Sequence, residues 1–158
     1  MTKKTFKFLL LFIYLMSSGC GFKVLESLET YNLNITELNT VGDKRINFKI
    51  KNSLTVESND NDKINLSIDL STIKEKSIKE KSIKNKITKY KISISSNVKL
   101  FFSDKALTKE FNVISSGDYL TSGQYSATLQ NEKKLVKDLT EDIIAQINNK
   151  ILLIVNDF

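Results

Sequence analysis

The sequence predicts an α+β fold: a small mixed or antiparallel sheet of about four strands with two helices packed on one face. Three observations predict it. Ile64, Leu66, Ile68 and Leu70 alternate strictly with polar residues, the period of a half-buried strand. Tyr90, Ile92, Ile94, Val98, Leu100 and Phe102 repeat that period on even positions. Leu135, Leu139, Ile143, Ile147 and Ile151 recur every four residues, the stripe of a long amphipathic helix. Such a helix beside several half-buried strands makes a self-contained two-layer core, and 158 residues suit one domain.

Composition narrows the chemistry. The chain has no His, one Cys, no Pro and no Trp. Without His, the usual general base near neutral pH and the commonest metal ligand are missing. One Cys excludes an intrachain disulfide and any Cys-cluster metal site. Neither Gly-x-Ser-x-Gly nor Ser-x-x-Lys stands in a suitable context, so the chain is not expected to be an enzyme. No cofactor or metal is expected. The formal charge of +6 includes Lys3, Lys4 and Lys7; without them 21 basic residues face 18 acidic ones. Arg45 is the only arginine. Planar, bidentate reading of phosphate and guanine favours arginine, so no nucleic-acid partner is expected.

The elements follow in chain order. Lys3, Lys4 and Lys7 precede the unbroken apolar run Phe8 to Met16, and Ser17-Ser18-Gly19-Cys20 closes it. That order is the order of a bacterial secretory signal. Nine apolar residues rise about 14 Å as a helix against a hydrocarbon core of about 30 Å, too short to span alone. The small residues before the only Cys look like a lipobox, although Ser17 stands where such motifs usually carry Leu. Residues 1–19 are therefore read as a lipoprotein signal peptide, cleaved between Gly19 and Cys20. The Cys20 thiol, the one side chain soft and nucleophilic enough, would take the lipid. Residues 20–29 read as a lipidated tether and 30–158 as one α+β domain.

Tyr31, Leu33 and Ile35 alternate as a strand, and Thr40-Val41-Gly42-Asp43 reads as a turn with Asp43 as helix N-cap. Residues 44–54 fit two templates. Ile46, Ile50 and Leu54 share a helical face, while Ile46, Phe48 and Ile50 alternate as in a strand; the Gly-Asp start, together with the family resemblance given below, favours helix. Ser58-Asn59-Asp60-Asn61-Asp62 has a superficial calcium-loop look but lacks the Gly and the bidentate Glu, so a solvated turn is expected. A strand over 90–102 would run about 43 Å, beyond the usual length; it either bends near Ser95-Ser96 or projects from the domain. Ser103 to Ala106 reads as a turn leading to Leu107, Phe111 and Val113 on a hairpin partner. After Ser115-Ser116-Gly117-Asp118 and Ser122-Gly123 the period changes to that of the closing helix, which begins as early as Tyr125.

Thr72-Ile73-Lys74-Glu75-Lys76, Ser77-Ile78-Lys79-Glu80-Lys81 and Ser82-Ile83-Lys84-Asn85-Lys86 are three copies of a five-residue unit. Residues 72–91 hold eight Lys and two Glu. Period five matches neither strand nor helix, so a flexible connection or a protruding β-arm is expected. Charge runs are usually solvated faces. The functional alternative is a row of phosphate contacts to lipopolysaccharide through Lys74, Lys79, Lys84 and Lys86.

Gly19-Cys20-Gly21-Phe22, then Gly42-Asp43-Lys44-Arg45 with Ile50-Lys51-Asn52-Ser53-Leu54, and the closing Asn131-Glu132-Lys133-Lys134-Leu135 to Ile147 resemble the lipopolysaccharide-assembly lipoprotein (LptE) family in its alphaproteobacterial form. Val24 departs from the family's start, where Pro is frequent, and the lysine repeat looks like an insertion. The resemblance implies an outer-membrane lipoprotein facing the periplasm, seated as a plug in the lumen of an LptD-type outer-membrane β-barrel. Such a subunit assists barrel assembly and lipopolysaccharide insertion into the outer leaflet. Gly21 after the lipidated Cys, in place of Asp, implies export to the outer membrane. The other reading is a generic lipoprotein that binds lipid or a small ligand without a barrel.

Overall fold

The computed structural model describes residues 33–54 and 64–157. The leader, Gly19, Cys20, the tether, Tyr31 and the Ser58–Asp62 segment lie outside them. The elements are β1 (Leu33–Gly42), α1 (Lys44–Leu54), β2 (Ile64–Lys81), β3 (Ile87–Phe102), a 3-10 turn (Ser103–Lys105), β4 (Leu107–Leu120) and α2 (Tyr125–Asn156). The sheet runs β1-β2-β3-β4. β1 is parallel to β2, and the β2-β3 and β3-β4 pairs are antiparallel, so the sheet is mixed. Both helices pack on one face of it, as the patterning predicts.

Alternation decides which face. Leu66, Ile68, Leu70, Ile92, Ile94, Val98, Leu100, Phe102 and Val113 are buried on the helix side. They meet Ile46, Ile50 and Leu54 of α1 and Leu139, Ile143, Ile147 and Ile151 of α2. The ambiguity over 44–54 thus resolves to a helix. Its N-cap is Asp43, whose Oδ1 accepts from the backbone N–H of Arg45 (3.0 Å) and Ile46 (3.1 Å). One polar pair sits inside this core: the Thr72 and Ser96 hydroxyls bond each other at 2.9 Å.

The opposite face of the sheet carries no helix among the described residues. It carries polar cross-strand pairs beside the exposed Ile73, Phe101 and Ile114. The Asn34 amide donates to Asn65 Oδ1 (2.9 Å), Asn39 to Asp69 (3.1 Å), Ser95 to Asn112 (3.2 Å) and Asn97 to Glu110 (3.0 Å).

Two readings of the sequence are corrected. Thr40-Val41-Gly42 is strand, not turn; the chain reverses only at Gly42-Asp43. Ser115-Ser116-Gly117-Asp118 is also strand, since β4 continues to Leu120 and only the Ser122-Gly123 break is real. The glycine within this strand serves the helix. A Cβ on Gly117 would lie 2.8 Å from Leu135 Cδ1, so its absence lets α2 approach the sheet. The long strand does not bend away at Ser95-Ser96: both residues stay in register with β2 and β4.

β4 is an edge strand whose carbonyls are engaged from above. Side chains of α2 donate to it: Gln146 to Ile114 O (3.4 Å), Lys150 to Asn112 O (3.0 Å) and Asn131 to Leu120 O (3.1 Å).

Candidate functional site

The repeat forms an arm. Its first two copies continue β2 and pair with β3 as far as Lys81–Ile87, while the third, Ser82–Lys86, makes the turn. The pleat does not absorb the five-residue period: pairing with β3 is regular from Leu66 to Ile78, so Ile73 and Ile78 fall on opposite faces, and the register shifts only between Ile78 and Lys81. Of the two expectations, flexible connection or protruding β-arm, the arm is the one found.

The four lysines singled out by sequence do not form one row. Lys74 Nζ lies 3.4 Å from Asp43 Oδ2, at the start of α1. Lys79 hydrogen-bonds the Asp118 carboxylate across β3. Lys84 and Lys86 stand on the turn, with no carboxylate partner among the described residues.

At the base of the arm a polar lock joins sheet to helix. Lys76 Nζ donates to Glu132 Oε2 at 2.6 Å, and Tyr119 OH donates to the same oxygen at 2.7 Å. Tyr90 and Tyr119 stack with centroids 5.5 Å apart. The Lys76 ammonium lies 4.4 Å from the Tyr90 ring centroid and 5.4 Å from that of Tyr119. Burial pushes the Glu132 carboxyl up, but the bonds from Lys76 and Tyr119 and the charges of Lys76 and Lys74 outweigh it and hold it below its ordinary value. Burial likewise works against the Lys76 ammonium, and its bonds to Glu132 and Tyr119 reverse that, so its pKa is raised. Burial raises the Tyr119 phenol. Asp43 is lowered: burial opposes the charge, and the Ile46 N–H and Lys74 overcome it.

These shifts set a pH dependence. A carboxyl with a depressed folded pKa adds stability above its unfolded value, and that stability is lost as pH falls toward the folded value. The contributions of Glu132 and Asp43 are therefore complete above the ordinary values of 4.5 and 3.8 and fade below them. Urea midpoints measured from pH 7 down to 3 should fall, and Glu132→Gln should make that fall shallower. An unchanged slope in the variant would remove Glu132 from the account.

Between α1 and α2 lies a groove of about 230 Å³. Ile46, Leu129 and Val136 give it an apolar floor. Arg45 and Lys49 approach from α1, Lys133 and Lys137 from α2, and Lys74 from β2; Asp43 and Glu132 are the two acids. Arg45, Lys49 and Lys133 have no carboxylate partner among the described residues, and Lys137 makes only an exposed pair with Glu141 at 3.7 Å. The arrangement suits an anion with an apolar portion. Sequence reasoning found only Lys74 of this set. The missed signal was two basic i,i+4 pairs, Arg45/Lys49 and Lys133/Lys137, each on an amphipathic helix.

Among the described residues no helix is long and apolar enough to cross a membrane. No protein-family model matches the chain, and no curated protein matches it in sequence. Solved structures do match in shape. The solution structure of lipoprotein B from Nitrosomonas europaea superposes with a TM-score of 0.52 at 17% identity, over 84% of this chain and 90% of that one. The crystal structure of a minor lipoprotein from Acinetobacter baumannii gives 0.51 at 16%, over 77% and 93%. Rare lipoprotein B from Shewanella oneidensis gives 0.49 at 15%, over 77% and 94%. At these identities the first two establish a likeness of fold to those bacterial lipoproteins.

Proposed function

We propose that the chain is a lipoprotein of the outer membrane, acylated on Cys20 after cleavage of residues 1–19. In this reading it is a non-catalytic accessory subunit and plug of a lipopolysaccharide translocon, held in an LptD-type β-barrel, where it aids barrel assembly and lipopolysaccharide insertion. The observation that carries it is the open face of the sheet. All four strands contribute amide, hydroxyl or carboxylate side chains to cross-strand pairs on it, with Ile73, Phe101 and Ile114 exposed among them, and a largely polar face of this kind suits the polar lumen of a barrel. The shared fold with lipoproteins agrees with an anchor at Cys20, and several acyl chains on one residue give durable attachment. The groove and the arm supply charge toward phosphorylated lipid, through Lys84 and Lys86 more than through Lys74 and Lys79, which already face Asp43 and Asp118.

The groove also favours a second reading, a lipoprotein that binds an anionic lipid with no barrel partner. Affinity capture of the full lipoprotein from detergent-solubilised outer membrane separates the two. The first reading predicts a large β-barrel in the eluate and loss of surface lipopolysaccharide on depletion. An eluate with no barrel moves the assignment to the second. A Cys20→Ser chain should leave the membrane fraction; if it stays, the anchor is elsewhere.

A further inference from the structure

The turn of the β2–β3 arm is built in two parts. Its backbone is set by Ser82, Asn85 and Lys86. Ser82 N–H donates to Lys86 O at 2.8 Å, Asn85 N–H to Ser82 O at 2.9 Å, and Lys86 N–H to Ser82 Oγ at 3.2 Å. Asn85 takes the left-handed conformation, φ 58°, that asparagine tolerates better than most residues. Ile83 has no part in this. It is 107% exposed, at a position where turns usually place polar residues. A lone exposed apolar side chain is ordinary; one held fully out at the end of a paired arm and flanked by cations is not.

Charge is sorted along the arm. Near the sheet, Lys79 is matched by Asp118 and Lys89 by Glu80 at 3.0 Å. At the tip, Lys81, Lys84 and Lys86 have no carboxylate partner among the described residues. An apolar point ringed by long cationic side chains fits the boundary of a bilayer, where ammonium groups stay with phosphates and the apolar group goes deeper. The pairing with β3 holds that arrangement before contact.

We propose that this tip docks on an anionic phospholipid surface, with Ile83 entering the interface and Lys81, Lys84 and Lys86 on headgroup phosphates. The contact needs no barrel, so it stands or falls apart from the translocon reading. The test is amide hydrogen exchange, read by mass spectrometry, on the full chain in phosphatidylcholine vesicles with and without phosphatidylglycerol. Amides 82–86 should slow only when phosphatidylglycerol is present. Lys81, Lys84 and Lys86 changed together to Gln should weaken docking about a hundredfold, at about fivefold per charge. Ile83→Asn should weaken it while the charge remains. Amides of β2 and β3 nearer the sheet report in the same spectra that each variant is folded. No slowing, equal slowing in neutral vesicles, or slowing that survives either variant overturns the proposal.

Discussion

Gly42→Ala is expected to destabilise the fold by about 3 kcal/mol or more, enough to leave a marginal domain largely unfolded. Two effects add. Gly42 has φ +101°, a conformation that side-chain-bearing residues rarely adopt. A Cβ there would lie 1.9 Å from the Thr72 carbonyl oxygen, which is backbone in the neighbouring strand and cannot rotate away. The same oxygen accepts the Asp43 N–H at 3.0 Å, so the strand cannot retreat without releasing the start of α1. Circular dichroism and urea titration would read the loss. A variant as stable as the parent would show that the β1–α1 corner relaxes in a way the geometry does not allow.

Phe102→Ala is the second large effect, about 3–5 kcal/mol. The ring is fully buried at the end of β3, opposite Leu66 on β2 and Leu107 on β4. Its removal leaves a cavity where three strands meet, with little freedom to collapse. The neighbouring Phe101 points to the open face and is 44% exposed. Phe101→Ala should cost about 1 kcal/mol or less, as exposed sites usually do. Adjacent phenylalanines with such different costs would confirm the register by urea midpoint alone; similar costs would refute it.

The sheet and closing helix were legible because their periods are clean. Ile64 to Leu70 and Leu135 to Ile151 each fit one template; Ile64 and Leu135 are half-buried and the later members of each series are buried where the period puts them. Residues 44–54 fit two templates, since three apolar residues spaced by four also include a short alternation. The packing of Ile46, Ile50 and Leu54 against α2 decides it, and that contact is remote in sequence. The packing role of Gly117 is invisible locally, since a missing side chain counts as a contact only when the helix above it is known.

The site was less legible for the same reason. Lys76, Tyr90, Tyr119 and Glu132 come from three strands and a helix, separated by up to 56 positions. Nothing local marks Glu132 as the acid that receives both a lysine and a phenol. The repeat drew attention to lysines by spacing, whereas their roles are set by which carboxylates the fold brings beside them. Lys74 and Lys79 meet Asp43 and Asp118; the tip lysines meet none among the described residues.

The donors that α2 lends to β4 bear on how such a protein avoids sticking to itself at high local density. Bare strand margins recruit other strands and seed fibrous aggregates. Here the carbonyls of Asn112, Ile114 and Leu120 are already occupied by Lys150, Gln146 and Asn131. An incoming chain would have to displace those three side chains before it could zip onto that flank.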